Sequence, residues 1–453
     1  MTAPEHPPPQ VAERPGPPTP QTIIDSGRLG GWQIAAIAMT ILLNALDGFD
    51  VMSISFAAPG IAKEWGVARD VLGWVLSMEL IGMAAGSLLL GGLADRIGRK
   101  PTIIGCLVVM AGGMLLAPQS TDVVQLSIWR LFTGLGIGGM LAALNASVAE
   151  FSNARYRNLV LPLMVIGYPL GAFFGGLGVS ALLAGGDWRS VFYLGALLTA
   201  GSIPLALWLI PESPGWLYAR RPPDALGRIN RVLTRFGLAR MTALPDIKPG
   251  KSRAALIEIF RPALIRTTLL LTLAYLTHVA AYYYFVKWVP KLIVDMGFDP
   301  GAAAGVLTNA MLGGAVGGGV LGLVALKTGM RWATIGALAG AFVMLNIFGM
   351  APRDLQVLGW IAAGTAFFSN AAAVGFYALL AMAFPPNVRA TGTGFGIGFG
   401  RAGAVMGPAV AGMLFAGGMG LQGFSLIISA GSLLAIVAIY LVRAPAQAEA
   451  EER

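Results

Sequence analysis

Twelve apolar stretches, separated by short polar segments, run along the 453-residue chain. They fall near 32–58, 71–94, 101–118, 123–148, 158–184, 190–210, 265–294, 301–325, 332–351, 355–384, 390–417 and 420–442. A helix needs about 20 apolar residues to cross a bilayer, and most of these stretches reach that length. The apolar runs are continuous rather than alternating at every second position, which predicts helices and argues against a barrel. Between the sixth and seventh stretches lies a long polar segment, 211–264, with ten Lys/Arg against four Asp/Glu. The predicted organisation is a tail (1–31), six spans (32–210), a basic linker (211–264), six more spans (265–442) and a second tail (443–453). The first tail has eight prolines in its first twenty positions and lacks the apolar stretch of roughly 7–15 residues that a secretory signal requires. It is expected to be disordered.

Composition agrees with this pattern. Hydrophobic residues make up 56% of the chain and charged residues only 12%, where a soluble domain carries about 25% charged. The 62 glycines suit helices that approach closely in lipid. A single cysteine, Cys106, excludes a disulfide, and two histidines are too few for a histidine metal cluster. The net charge of +9 raises nucleic acid as a partner, but its distribution points to topology instead. If both termini share one side, that side holds 23 of the 31 Lys/Arg, and the opposite loops hold five against seven acids. Lys and Arg are retained in the cytoplasm, so both termini and the linker are expected there. No nucleic-acid partner is expected. Within the linker, Asp224–Arg240 reads as an amphipathic helix lying on the inner membrane surface.

The first span carries two acids three residues apart, Asp47 and Asp50. Acids inside a span are costly and mark ion or proton pathways, and each raises the other's cost of ionising. At ~1.5 Å of rise per residue, Asp47 and Asp50 sit in the outer half of span one. Glu79 of span two and Arg130 of span four reach about the same depth. One cation cannot neutralise three carboxylates, so at least one acid is expected to hold or exchange a proton. Asp47 and Asp50 are the expected proton-coupling pair, with Arg130 either modulating them or held in a static buried ion pair with one acid. Glu79 is either a second carrier or a helix cap.

Gly91-Gly92-Leu93-Ala94-Asp95-Arg96-Ile97-Gly98-Arg99-Lys100 joins spans two and three, and a degenerate copy, Gly322 to Arg331, joins spans eight and nine. Asn153 and Arg155 are echoed by Asn387 and Arg389. Two related halves imply a central site reached alternately from each side. The glycines permit a tight turn. Asp95 pairs with a cation or caps a helix, and Arg96, Arg99 and Lys100 anchor the loop at the cytoplasmic surface.

With that loop and twelve spans in two halves, the chain resembles the major facilitator superfamily. The resemblance implies an all-α bundle of two pseudo-symmetric six-helix halves, and a gate latch at Gly91, Asp95, Arg96, Gly98, Arg99 and Lys100. Asp47-Gly48-Phe49-Asp50, Arg130-Leu131-Phe132-Thr133-Gly134, Pro211-Glu212-Ser213-Pro214-Gly215-Trp216-Leu217 and Gly398-Phe399-Gly400-Arg401-Ala402-Gly403 are similar to the aromatic acid:proton symporter branch. That branch implies a bacterial cytoplasmic-membrane carrier.

In the second half, Arg401 lies near mid-membrane by helical rise. It either meets a substrate carboxylate bidentately or hydrogen-bonds carbonyls near Gly398 and Gly403. Span seven contributes His278 and the run Tyr282-Tyr283-Tyr284-Phe285. Consecutive residues point in different directions, so at most two of these rings face a cavity. Tyr282 is assigned to the cavity, and Tyr284 and Phe285, near Lys287 and Trp288, to an interfacial aromatic belt. His278 is either a relay or substrate donor, or is satisfied by a neighbouring helix. Asn370 in span ten either meets substrate or ties two helices. Gly167-Tyr168-Pro169-Leu170-Gly171 in span five reads as a close-packed hinge.

The expected function is proton-driven uptake of a small organic anion, with benzoates and hydroxybenzoates as the implied substrates. The proton is the coupling ion, with no other cofactor, no metal and no partner chain needed. A sugar or polyol porter, an exporter and a membrane-bound sensor of aromatic acids are the alternatives. No nucleophile–base constellation suggests an enzyme.

Overall fold

The computed structural model describes residues 18–245, 255–385 and 388–442. A short helix α1 (Pro20–Ser26) precedes six long ones: α2 (Gly31–Trp65), α3 (Arg69–Ile97), α4 (Arg99–Leu116), α5 (Val123–Phe151), α6 (Ala154–Leu183) and α7 (Arg189–Leu209). Three short helices, α8 (Pro214–Arg220), α9 (Ala225–Arg235) and α10 (Ala255–Glu258), lie in the linker. Six long helices follow: α11 (Ile265–Asp295), α12 (Pro300–Thr328), α13 (Met330–Gly349), α14 (Leu355–Ala383), α15 (Arg389–Ala416) and α16 (Leu421–Leu441). Twelve of these are long and apolar enough to cross a membrane. Because each half has six crossings, both halves begin and end on one face, here called the terminal face.

Local sequence explains the helix ends. Asp122, Asn153, Asp299 and Asp354 each accept a backbone N–H at the start of the helix that follows. Helices within a half pack through small residues. Gly134 of α5 lies so close to α3 that a Cβ there would strike the carbonyl of Glu79. Gly48 of α2 meets the carbonyl of Tyr168 in α6 in the same way. Glycine thus sets the spacing that brings acidic and basic side chains of neighbouring helices together.

Two expectations change. The tail expected to be disordered over 1–31 contains α1, whose Ile24 is fully buried against Trp216, Leu217, Ile229, Leu233 and Met241. Asp25 pairs with Arg157, and Asn153 donates to the carbonyl of Gly27. The proline-rich part before residue 18 lies outside the described residues. The amphipathic helix expected over Asp224–Arg240 forms over Ala225–Arg235, but its apolar face closes on α1 and α8 rather than on lipid.

The halves meet along α2 with α11, α3 with α15, and α6 with α12. Among the described residues, hydrogen bonds and ion pairs across this seam lie at mid-depth or towards the face opposite the termini. They are Arg69–Asp295 at 3.1 Å, Ser77 Oγ to the Val405 carbonyl at 2.8 Å, Ser180 Oγ to the Gly301 carbonyl at 2.7 Å, the Lys287 contacts described below, and Arg401 to Ser87 Oγ at 3.3 Å. The seam is therefore closed on the face away from the termini.

Candidate functional site

The acids of the first half form one buried cluster. Asp47, Asp50, Glu79 and Arg130 are each no more than 1% exposed. Arg130 of α5 pairs with Glu79 of α3, and its second bond, 2.9 Å, goes to the Asp50 carbonyl of α2. Met114 of α4 lies 3.0 Å from Nη1, and the guanidinium sits over the Phe192 ring of α7 at 5.4 Å. Arg130 is thus gripped from four helices. The Asp50 carboxylate takes one long hydrogen bond, 3.3 Å, from Thr199 Oγ1, and its other oxygen has no partner. Among the described residues, neither carboxyl oxygen of Asp47 has a hydrogen-bond partner. A buried polar group left in this way is costly unless it has a task.

The expectation that one level holds all four ionisable groups agrees with these contacts. The partner of Arg130 is Glu79, so Glu79 is an ion-pair member rather than a helix cap. Asp50 turns into its own half, towards Thr199.

A fifth member was misread. Lys287 of α11 is fully buried, donates to the Val51 carbonyl and lies 3.4 Å from Glu79 Oε2. The belt expected at this end of span seven does not form. Trp288 is also fully buried and donates to the Pro408 carbonyl at 3.1 Å. Tyr284 packs edge-on against Phe424, and Phe285 against Phe348. Here α11 is enclosed by protein, and the belt pattern in sequence arose from rings buried between helices.

At mid-depth the seam carries tyrosines and one cation. Arg401 of α15 is part-buried and touches Ser87 Oγ; among the described residues it has no carboxylate partner. Tyr275 and Tyr283 of α11 lie within its electrostatic reach. The Tyr275 hydroxyl is 3.3 Å from that of Tyr377 in α14. Among the described residues, the Tyr168 hydroxyl of α6 has no hydrogen-bond partner. Tyr282, assigned to the cavity, is 7% exposed and packs edge-on against Tyr283 at 5.5 Å. Tyr282 is thus buried, while Tyr283 is the less buried of the two and lies within electrostatic reach of Arg401.

For His278 and Asn370, each left open between a substrate contact and a helix tie, the observed contacts are helix ties. The His278 ring is 1% exposed, with Nε2 2.9 Å from the Ser369 carbonyl and Nδ1 3.5 Å from Ser432 Oγ. Both ring nitrogens are engaged by neighbouring helices. Asn370 donates to the Gly314 carbonyl at 2.8 Å, joining α14 to α12.

The loop between α3 and α4 makes a compact network. Asp95 pairs with Arg99 at 2.9 Å, and its carbonyl accepts from Trp216 and Arg220 of α8. Glu212 caps the start of α4, accepting the backbone N–H of Arg99 at 2.8 Å and of Lys100 at 3.3 Å. Gly98 holds φ +114°, and a Cβ there would strike the Glu212 carboxylate. Glu150, 3.9 Å from Arg99, accepts from Ser213. Lys100 donates to the Leu207 carbonyl at 2.6 Å. The turn expected of Gly91 is absent, because Gly91 lies inside α3 with room for a side chain. Arg96 is exposed and makes no ion pair among the described residues. In the second copy, the site of the aspartate is Leu326, 83% exposed, and Arg331 donates to the Tyr440 carbonyl. Asn387 of the repeat lies outside the described residues.

Residues 40–368 match the family model described as Major Facilitator Superfamily. The chain is 30% identical to the gallate transporter of Pseudomonas putida, over 88% of this chain and 89% of that one. It is 29% identical to the 3-(3-hydroxy-phenyl)propionate transporter of Escherichia coli, over 90% and 93%. It is 30% identical to the 4-hydroxybenzoate transporter PcaK of Pseudomonas putida, over 85% and 87%. In fold it is similar to the nucleoside transporter NupG (TM-score 0.69, 14% identity, 91% of this chain and 100% of that one). It is also similar to a D-xylose-proton symporter (TM-score 0.67, 16% identity, 90% and 97%).

Proposed function

The chain belongs to the Major Facilitator Superfamily, and from that membership we propose that it imports an aromatic carboxylate together with a proton. It is a multi-pass membrane transporter rather than an enzyme. Relatives named for gallate, hydroxybenzoate and hydroxyphenylpropionate transport support the aromatic-acid reading. The observation that carries it within this chain is Arg401: a guanidinium on the seam, without a carboxylate partner among the described residues, within electrostatic reach of Tyr275 and Tyr283. A substrate carboxylate supplies the missing anion, and the tyrosine rings supply faces for its aromatic ring.

Proton coupling rests on the buried cluster. Three carboxyls, Asp47, Asp50 and Glu79, stand with two cations, Arg130 and Lys287. One proton brings the five groups to neutrality, and Asp47, with neither donor nor counter-ion, is its seat. One proton entering with one monoanion moves no net charge. We place both termini in the cytoplasm of a bacterial cell, from the 23 of 31 Lys/Arg on the terminal side. The carrier works as a single chain.

The test is uptake of labelled 4-hydroxybenzoate into proteoliposomes with an acid exterior. Concentrative uptake is expected, and Asp47→Asn should lose it while still exchanging internal for external substrate. Accumulation by Asp47→Asn equal to that of the parent would refute the proton assignment.

A further inference from the structure

Asp47 and Asp50 do not themselves reach the second half. Asp50 faces Thr199 and Asp47 has no partner. Five ionisable side chains meet here from four helices: Asp47 and Asp50 from α2, Glu79 from α3, Arg130 from α5 and Lys287 from α11. Tyr168 of α6 and Tyr283 of α11 are the further groups within electrostatic reach of Glu79. Among the described residues, the polar connection from this cluster to the second half runs through Lys287, which holds Glu79 Oε2 and the Val51 carbonyl. Arg130 and Lys287 thereby grip successive carbonyls of α2, those of Asp50 and Val51, and share the two oxygens of Glu79 between them. Of the other seam bonds, Ser77 to Val405 and Ser180 to Gly301 join uncharged groups, and neither the Arg69–Asp295 ion pair nor the Arg401–Ser87 bond touches Asp47, Asp50 or Glu79.

From this geometry we propose that Lys287 is a positioning residue that joins the carboxylate cluster to the opposite half. Its bonds to Glu79 and Val51 hold the seam shut on the face away from the termini. They part when that face opens, while Glu79 stays on Arg130. This inference uses the transport reading only for its purpose, because the conformational measurement below involves neither substrate nor flux.

The test places spin labels at Gln119→Cys and Arg353→Cys, in the exposed loops of the two halves on the face away from the termini, in a Cys106→Ser background. Electron–electron double resonance in nanodiscs then reads the distance between halves. Lys287→Met removes the tie and leaves Glu79 paired with Arg130. The expected result is a shift to longer distances, with about a tenfold rise in the ratio of open to closed forms. Lys287→Arg is expected to restore the parental distribution. Where Lys287→Met does not fold, Glu79→Gln gives the same reading from the other side of the pair. A role confined to stability would lower the melting temperature without lengthening the distance. A folded Lys287→Met, or in its place a folded Glu79→Gln, with the parental distance distribution overturns the proposal. Loss of pH-driven uptake in the parent would leave it standing and would overturn only the coupling reading.

Discussion

At the scale of single residues, the site is defined by which buried charges lack a partner. Among the described residues, Arg130 is gripped by Glu79 and a carbonyl, whereas Asp47 has no hydrogen-bond partner and Arg401 has one hydroxyl. Hydrogen bonds to a charged group are worth about 1.5–3 kcal/mol. Arg401→Gln should therefore weaken binding of 4-hydroxybenzoate roughly 10- to 100-fold. Binding of 4-hydroxybenzamide should change little. Calorimetry on the purified protein checks both, and equal losses would make Arg401 a structural residue. Asp47, Asp50, Glu79 and Arg130 were legible in sequence because an ionisable group inside an apolar run stands out and helical rise fixes its depth. Lys287 was not, because it follows a run of aromatics beside Trp288, as an interfacial anchor would. Its partner lies 208 positions earlier. His278 and Asn370 were undecidable for a related reason: each is satisfied by a backbone carbonyl of another helix, which no side-chain pattern reports.

At the scale of elements, close helix approach positions the charges. Gly134 lets α5 rest on the backbone of Glu79, so that Arg130, one turn away, reaches that carboxylate. Gly134→Val should push α3 and α5 apart and lower the melting temperature by several degrees, the response expected of overpacking by about 1–3 kcal/mol. An unchanged melt would mean that the helices have slack the packing does not show. Glu212 caps the start of α4 from the segment after α7, tying the α3–α4 loop to the linker. Glu212→Gln loses the favourable interaction of a carboxylate with a helix N-terminus, worth about 0.3–1 kcal/mol. Faster protease cleavage near Arg99 is the expected outcome, and an unaltered cleavage rate would argue against the cap. The helices themselves were readable to within a few residues, because length and continuous hydropathy suffice for a span. The short helix α1 was missed. Its seven residues follow a proline-rich run, and its burial depends on Trp216 and Leu217, nearly two hundred positions away.

At the scale of the whole molecule, two six-helix halves meet at a seam closed on one face, with tyrosines and Arg401 at mid-depth and five charged groups beside it. The twofold plan was visible in the repeated loop, where Leu326 occupies the place of Asp95. Its energetic centre was not visible, because the tie between halves joins groups 208 positions apart in the chain. With Arg130 as the one cation, three acids call for two protons. Lys287 brings the requirement to one. A proton and a monoanion crossing together are electroneutral, so membrane potential, which contributes about 2.3 kcal/mol per charge per 100 mV, should not alter accumulation. The most direct measurement is steady-state accumulation of labelled 4-hydroxybenzoate in proteoliposomes, with pH gradient and potassium diffusion potential imposed separately. The account predicts accumulation that follows the pH gradient and ignores the potential. Accumulation driven by the potential alone, or persisting with no pH gradient, would contradict it.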